Sequence, residues 1–210
     1  MNFSFQGLES RMRKKDGFES ERMVVLSGHF LETLSRHPIV QQLYVTDIGF
    51  YPHAQHHYRE RPSGCEETIL ILCVNGEGWL RAGSGRTIEV RKHDLIVIPP
   101  SLPHTYGASP QRPWSIYWVH FRGTLAHEYC RMLPLSEFKL QMADTDALRM
   151  IDLFDPCIDL LKEKSYSTPH AVYANLLLQQ MLGIAAMQTP AAGDLSNNRY
   201  VEQSIEFMKR

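Results

Sequence analysis

Apolar residues fall in short, closely spaced runs from Leu43 to Phe121 and in helical rows thereafter. LYVTDIGFY at 43–51 is β-branched and aromatic, which predicts a strand. ETILILCV ends at Asn75-Gly-Glu-Gly78, a turn signal, and GWLRA returns, so a hairpin is expected around Asn75–Gly78. GSG at 83–85 turns the chain again, TIEV returns, RKHD turns, and LIVI is a further strand stopped by Pro99-Pro100. SLPHTYG then reads as a loop presenting His104 and Tyr106, and PWSIYWVHF at 113–121 as a strand. Many short strands at this spacing predict an antiparallel barrel or jelly roll. TLAHEYCRML at 124–133 suits a short helix and LSEFKLQM one more strand. Residues 144–164, interrupted by Pro156, and residues 169–188, with Pro169 at the start, read as two long helices. The apolar positions of the second cover more than one stripe, enough for one face on the barrel and another on a partner.

Two segments are less regular. Residues 23–36 fit either a short helix or a turn with a strand, and PHAQHHYRERPSG at 52–64 reads as a polar loop. Residues 1–22 are charged with scattered aromatics and are expected to form an arm, and TPAAGDLSN at 189–197 has linker composition. The chain then reads RYVEQSIEFMKR, the start of an amphipathic helix too short to bury a core, so the natural polypeptide is expected to continue.

Composition narrows the class. With 43% hydrophobic and 21% charged residues, 210 residues suffice for one domain with added helices. A formal net charge of −1 supplies no basic footprint for gripping DNA. Cys65, Cys73, Cys130 and Cys157 form no CxxC pair and read as reduced thiols. Neither a signal peptide nor a membrane-length apolar run is present, so a cytoplasmic location is expected.

The candidate chemistry is that of a pocket. By period-two alternation Trp114, Ile116, Trp118 and His120 share one strand face, and an indole there is a platform for a sugar ring or another flat ligand. For Trp114, core filling is the favoured alternative. His104 has the position of one ligand in a cupin metal site, but the preceding strands carry no HxH…E set, and one histidine cannot hold a catalytic metal. Tyr106 reads as a hydrogen-bonding pocket residue. His53, His56 and His57 read as a solvated loop. Arg61, beside Pro62 and Gly64, is a better ligand contact than Arg59, its guanidinium suiting hydroxyls or a carboxylate. No nucleophilic triad, phosphate loop or carboxylate pair stands out.

These residues resemble the N-terminal effector-binding and dimerisation domain of AraC-type transcription regulators, particularly the arabinose-responsive type. The likeness rests on Arg61-Pro62-x-Gly64, the Ile-Leu of ETILIL, Gly76-x-Gly78, Asp94-Leu95 with Pro99-Pro100, His104-x-Tyr106-Gly107, and Trp114 with Trp118-Val119-x-Phe121. It implies a mainly β fold with C-terminal helices, a cupin-like double-stranded β-helix followed by an antiparallel helix pair. It divides the chain into an arm with a short helix or strand at 1–42, a ligand-binding barrel at 43–122, a helical dimerisation region at 123–188, and a linker with the first helix of a helix–turn–helix domain at 189–210. It further implies that Arg61, Tyr106 and Trp118, with His104 and Ile116 beside them, line a pocket for a sugar or sugar derivative. Leu176, Leu177, Met181 and Leu182 would carry an antiparallel homodimer contact, the arm would close over the ligand, and DNA would be bound through a following domain. No cofactor, catalytic residue or metal is implied. Ile116 stands where the arabinose type has a polar sugar contact, which points away from arabinose itself. The rival reading is a metal-dependent cupin isomerase or dioxygenase.

Overall fold

The computed structural model describes residues 13–164 and 166–188. The linker and terminal-helix expectations at 189–210, and the first part of the arm, lie outside the described residues. Among the described residues ten strands and four α-helices follow one another: β1 (Arg22–Val25), α1 (Gly28–Arg36), β2 (Tyr44–Tyr51), β3 (Tyr58–Arg61), β4 (Thr68–Asn75), β5 (Glu77–Ala82), β6 (Ile88–Arg91), β7 (Asp94–Ile98), β8 (His104–Ala108), β9 (Ser115–Arg122), α2 (Ala126–Arg131), β10 (Lys139–Gln141), α3 (Asp144–Glu163) and α4 (Thr168–Ala186). The ambiguous 23–36 segment holds both a strand and a helix, the latter capped by Ser27, whose hydroxyl accepts from Phe30 N–H.

All strand pairs are antiparallel and form two sheets, β1-β2-β9-β4-β7-β10 and β3-β8-β5-β6. This is the cupin-like jelly roll with appended helices. The Asn75–Gly78 turn exists, but its flanking strands do not form a hairpin: β4 pairs with β7 and β9, and β5 with β6 and β8. The reason lies in β4, whose Thr68–Cys73 stretch is buried throughout and therefore belongs in the sheet centre. Its chain crosses at Gly76 to the other sheet. SLPHTYG is likewise not simply a loop, since His104–Ala108 is strand β8.

Side-chain alternation divides the core in two. Ile69, Ile71, Ile96, Ile98, Ile116 and Trp118 of the large sheet meet Leu80, Val90 and Tyr106 of the small one inside the barrel. The intervening residues Leu70, Leu72, Leu95, Val97, Tyr117, Val119 and Phe121 face outward and are covered by α1, α3 and α4. Arg22 pairs with Asp155 of α3, whose carboxylate also accepts from Tyr117 Oη at 2.9 Å, tying the helix to the sheet edge. The helix runs on through Pro156.

Candidate ligand-binding site

Trp118 on β9 and Trp114 just before it project into the barrel, and two glycines make room for them. A Cβ at Gly78 would lie 2.0 Å from the Trp114 ring, and one at Gly49 would lie 2.7 Å from the Trp118 ring. Trp114 is fully buried, and its indole N–H donates to His57 Nδ1 at 3.1 Å. It fills core space. Trp118 instead walls a small cavity of about 20 Å³ together with Tyr51, His57, Arg59, Arg61, Ile71, Tyr106, Ile116 and His120. That volume holds little more than one water.

The polar atoms on this wall are unusual. Indole N–H can only donate, so His57 accepts at Nδ1 and its neutral ring carries the proton on Nε2. That N–H is buried and finds no hydrogen-bond acceptor among the described residues, and neither does Trp118 Nε1–H. Buried donors left unpaired cost about 1–3 kcal/mol each. Arg61, on β3, donates from Nη1 to Tyr106 Oη and meets His104 Nε2, both at 3.3 Å. His104 Nδ1 lies 2.8 Å from the Leu102 carbonyl, which can only accept, so Nδ1 carries the proton and Nε2 accepts from Arg61. Among the described residues Arg61 has no carboxylate within ion-pair distance, while Arg59 meets Asp16 at 3.9 Å. Tyr51 Oη is engaged with Met23 Sδ, and His120 Nδ1 with the Asp47 carboxylate at 3.2 Å.

Burial pushes the His57 imidazole down to about 3, helped by Arg59 and then Arg61, and the His104 imidazole down to about 4. Both rings stay neutral in the fold, whereas an unfolded histidine protonates near 6.5. Their folded values are depressed, so their contribution to stability is complete above 6.5 and shrinks as pH falls toward 3–4. The stability advantage of wild type over His57→Phe is expected to fall by about 2 kcal/mol between roughly pH 7 and 5 in urea unfolding. An unchanged difference would show that His57 titrates freely.

The segment before β1 packs beside the wall residues Tyr51 and His57. Lys14 N–H donates to the His56 carbonyl and Tyr58 N–H to the Lys14 carbonyl, both at 2.9 Å, laying the segment against β3. Phe18 is buried, its ring 5.0 Å from Tyr51 and 5.4 Å from His57. Glu21 accepts from the N–H groups of Gly17 and Phe18 and fixes the bend.

A larger cavity, about 270 Å³, lies on the opposite face of the six-stranded sheet under α2, floored by Val97, Phe121, Leu135 and Phe138. Its rim arginine Arg122 is already paired with Glu66 and Glu67, and no buried polar atom on its wall lacks a partner. The barrel cavity, small as it is, has the unsatisfied chemistry.

Residues 47–182 match the family model described as the AraC-like ligand binding domain. The chain belongs to that family. It is 39% identical over 160 residues to the MmsAB operon regulatory protein of Pseudomonas aeruginosa, a match covering 72% of this chain and 50% of that protein. Over 64 residues it is 38% identical to the arabinose operon regulatory protein of Escherichia coli, covering 30% of this chain and 22% of that one. The chain thus spans about half the length of the first of these regulators. The crystal structure of the AraC-like transcriptional activator CuxR superposes with a TM-score of 0.47 at 10% identity, over 77% of this chain and 65% of that one.

In this AraC-like domain Arg61, Tyr106, Ile116 and Trp118 come together on one cavity wall, and His104 stands behind Arg61. Sequence reasoning missed Tyr51 and above all His57, which sits deep in the barrel and is not part of a solvated loop, and ranked Arg59 behind Arg61 although both line the wall. The signal was available: His57, Arg59 and Arg61 alternate with Tyr58 and Glu60, the period of a strand with a polar inner face. The dimer assignment needs correction. Leu177, Met181 and Leu182 are buried against the sheet and α3, because α4 lies in the groove they fill. Of the four only Leu176 is exposed, and Tyr173 on the same helix and Met187 at its C-cap are exposed beside it. Among the described residues no three His, Cys, Asp or Glu side chains are placed to hold a metal ion, and no helix is long and apolar enough to cross a membrane.

Proposed function

We propose that this chain is the ligand-sensing and dimerisation part of a cytoplasmic bacterial transcription regulator, binding a small polar effector of the sugar or sugar-derivative class inside the barrel and controlling DNA binding by a following domain. One observation carries the reading: two buried donors, His57 Nε2–H and Trp118 Nε1–H, remain unpaired on the wall of a cavity that also holds Arg61. Native structures rarely leave such groups unanswered, and a ligand is the usual answer at a concave site. Phe18, packed against the wall residues Tyr51 and His57, serves as the lid in this reading. A cavity this small admits an effector only when a neighbouring segment shifts, and a shift of the 13–21 segment couples occupancy to the position of the arm. A ligand that binds one arm position better than another changes the population of both, which is all a switch requires.

A thermal-shift screen of the chain against sugars and sugar acids tests the reading, since binding to the native state raises the melting temperature. A saturable rise is expected. No rise from any compound, with stoichiometric iron, manganese, nickel or zinc in the purified protein, would favour the cupin-enzyme alternative.

Dimerisation is assigned to the outer face of α4, where Tyr173, Leu176 and Met187 recur at helical spacing. Pairing two copies holds two DNA readers at a raised effective concentration. Leu176→Glu is expected to shift the chain toward monomer in analytical ultracentrifugation, weakening the dimer about tenfold or more by burying a charge in an apolar contact. Sedimentation identical to wild type would remove α4 from the interface.

A further inference from the structure

Building on the ligand-sensing reading, we infer that the effector carries a carboxylate: a short-chain organic acid, such as a hydroxy acid or sugar acid, and not a neutral sugar. The cavity wall presents two guanidinium groups, two N–H donors unpartnered among the described residues and the hydroxyl of Tyr106, and no aspartate or glutamate among the described residues lines it. His57 and Trp118 are more than nine-tenths buried, so their donors are fixed by the fold. Tyr106 Oη already accepts from Arg61, which frees its own proton for donation. Arg61 has no carboxylate in ion-pair range among the described residues, and the Arg59 charge is met at 3.9 Å by Asp16, itself half exposed on the lid segment.

A neutral sugar hydroxyl both donates and accepts, so it would leave its own proton without a carboxylate to receive it here. A carboxylate only accepts, offers several lone pairs, and matches the planar fork of arginine. Ile71, Ile116 and the Trp118 ring supply an apolar floor for a short carbon chain, and Ile116 provides no hydrogen bond to a ring hydroxyl.

The test is calorimetric titration of the 210-residue chain with matched probes: lactate against lactamide, glycerate against glycerol and glycerol phosphate, gluconate against glucose. At least one acid is expected to bind about tenfold or more tightly than its neutral partner and than the phosphate ester. Arg61→Gln should remove that preference, and Arg59→Gln should reduce it. Neutral probes binding as well as the acids would overturn the carboxylate assignment and leave the sensing role standing. A phosphate ester binding best would do the same. Acid binding unaffected by both arginine substitutions would place the site elsewhere and overturn both readings. No binding by any probe would overturn the carboxylate assignment; the wider thermal-shift screen then decides the sensing role separately.

Discussion

Trp118→Ala is expected to abolish saturable ligand binding while the chain still folds. The indole is the largest side chain on the cavity wall, and among the described residues its N–H is one of two buried donors on that wall without a partner. Truncating a buried tryptophan costs about 3–5 kcal/mol when the site is fully packed. Here one side of the ring faces a cavity, and removing the indole also removes an unpaired donor, so the loss in stability is smaller. For the ligand, both the apolar platform and the donor vanish, so affinity drops by about a hundredfold or more. Trp118→Phe separates the two contributions: it keeps a ring and loses the N–H, and an intermediate loss of about tenfold is expected. Calorimetric titration of the three proteins, each checked by circular dichroism, decides the matter. Normal affinity in folded Trp118→Ala would remove the indole from the site.

Gly78→Ala is expected to destabilise the barrel strongly. Its Cβ would lie 2.0 Å from the ring of Trp114, which is wholly buried and anchored to His57. The backbone at Gly78 does not take a left-handed conformation, so alanine is allowed locally and the clash alone sets the cost. Forcing a packed ring aside costs about 1–3 kcal/mol, and the displaced ring also breaks its hydrogen bond to His57. A fall in melting temperature of several degrees follows for a domain of this size. Because a single contact is responsible, the change should be far less damaging in a Trp114→Ala background, and a double-mutant cycle in thermal unfolding reads this out. Additive losses would mean that Gly78 is needed for another reason.

These effects trace back to which patterns in the chain were decisive. The strands of the large sheet were legible because their alternation or uniform burial is strong: IYWVHF in β9 sends Ile116 and Trp118 inward and Tyr117, Val119 and Phe121 outward. Strand β3 was hidden because its inner face is polar. A hydrophobicity pattern reads HHYRER as a loop, yet YRER within it is a strand whose residues Arg59 and Arg61 line the cavity. Turn chemistry at Asn75-Gly76 correctly announced a reversal but not its partner, since pairing depends on where the uniformly buried β4 must sit. In α4 the apolar residues run almost all the way round, so spacing alone does not distinguish Leu176, facing solvent, from Leu177, facing the core. Arg61, Tyr106 and Trp118 were found through motif resemblance, and the fold brings them onto one wall; the tautomer of His57 and its unpaired donor emerge only in three dimensions.

The claim that the barrel interior receives the effector is tested most directly by the indole N–H signals of the 15N-labelled chain. There are three tryptophans, so three cross-peaks are expected, assigned by single substitution. Saturating effector should move the Trp118 peak strongly downfield as its free N–H acquires an acceptor, while the Trp114 peak, already bonded to His57, moves little. Saturable binding that leaves the Trp118 peak in place would contradict the account.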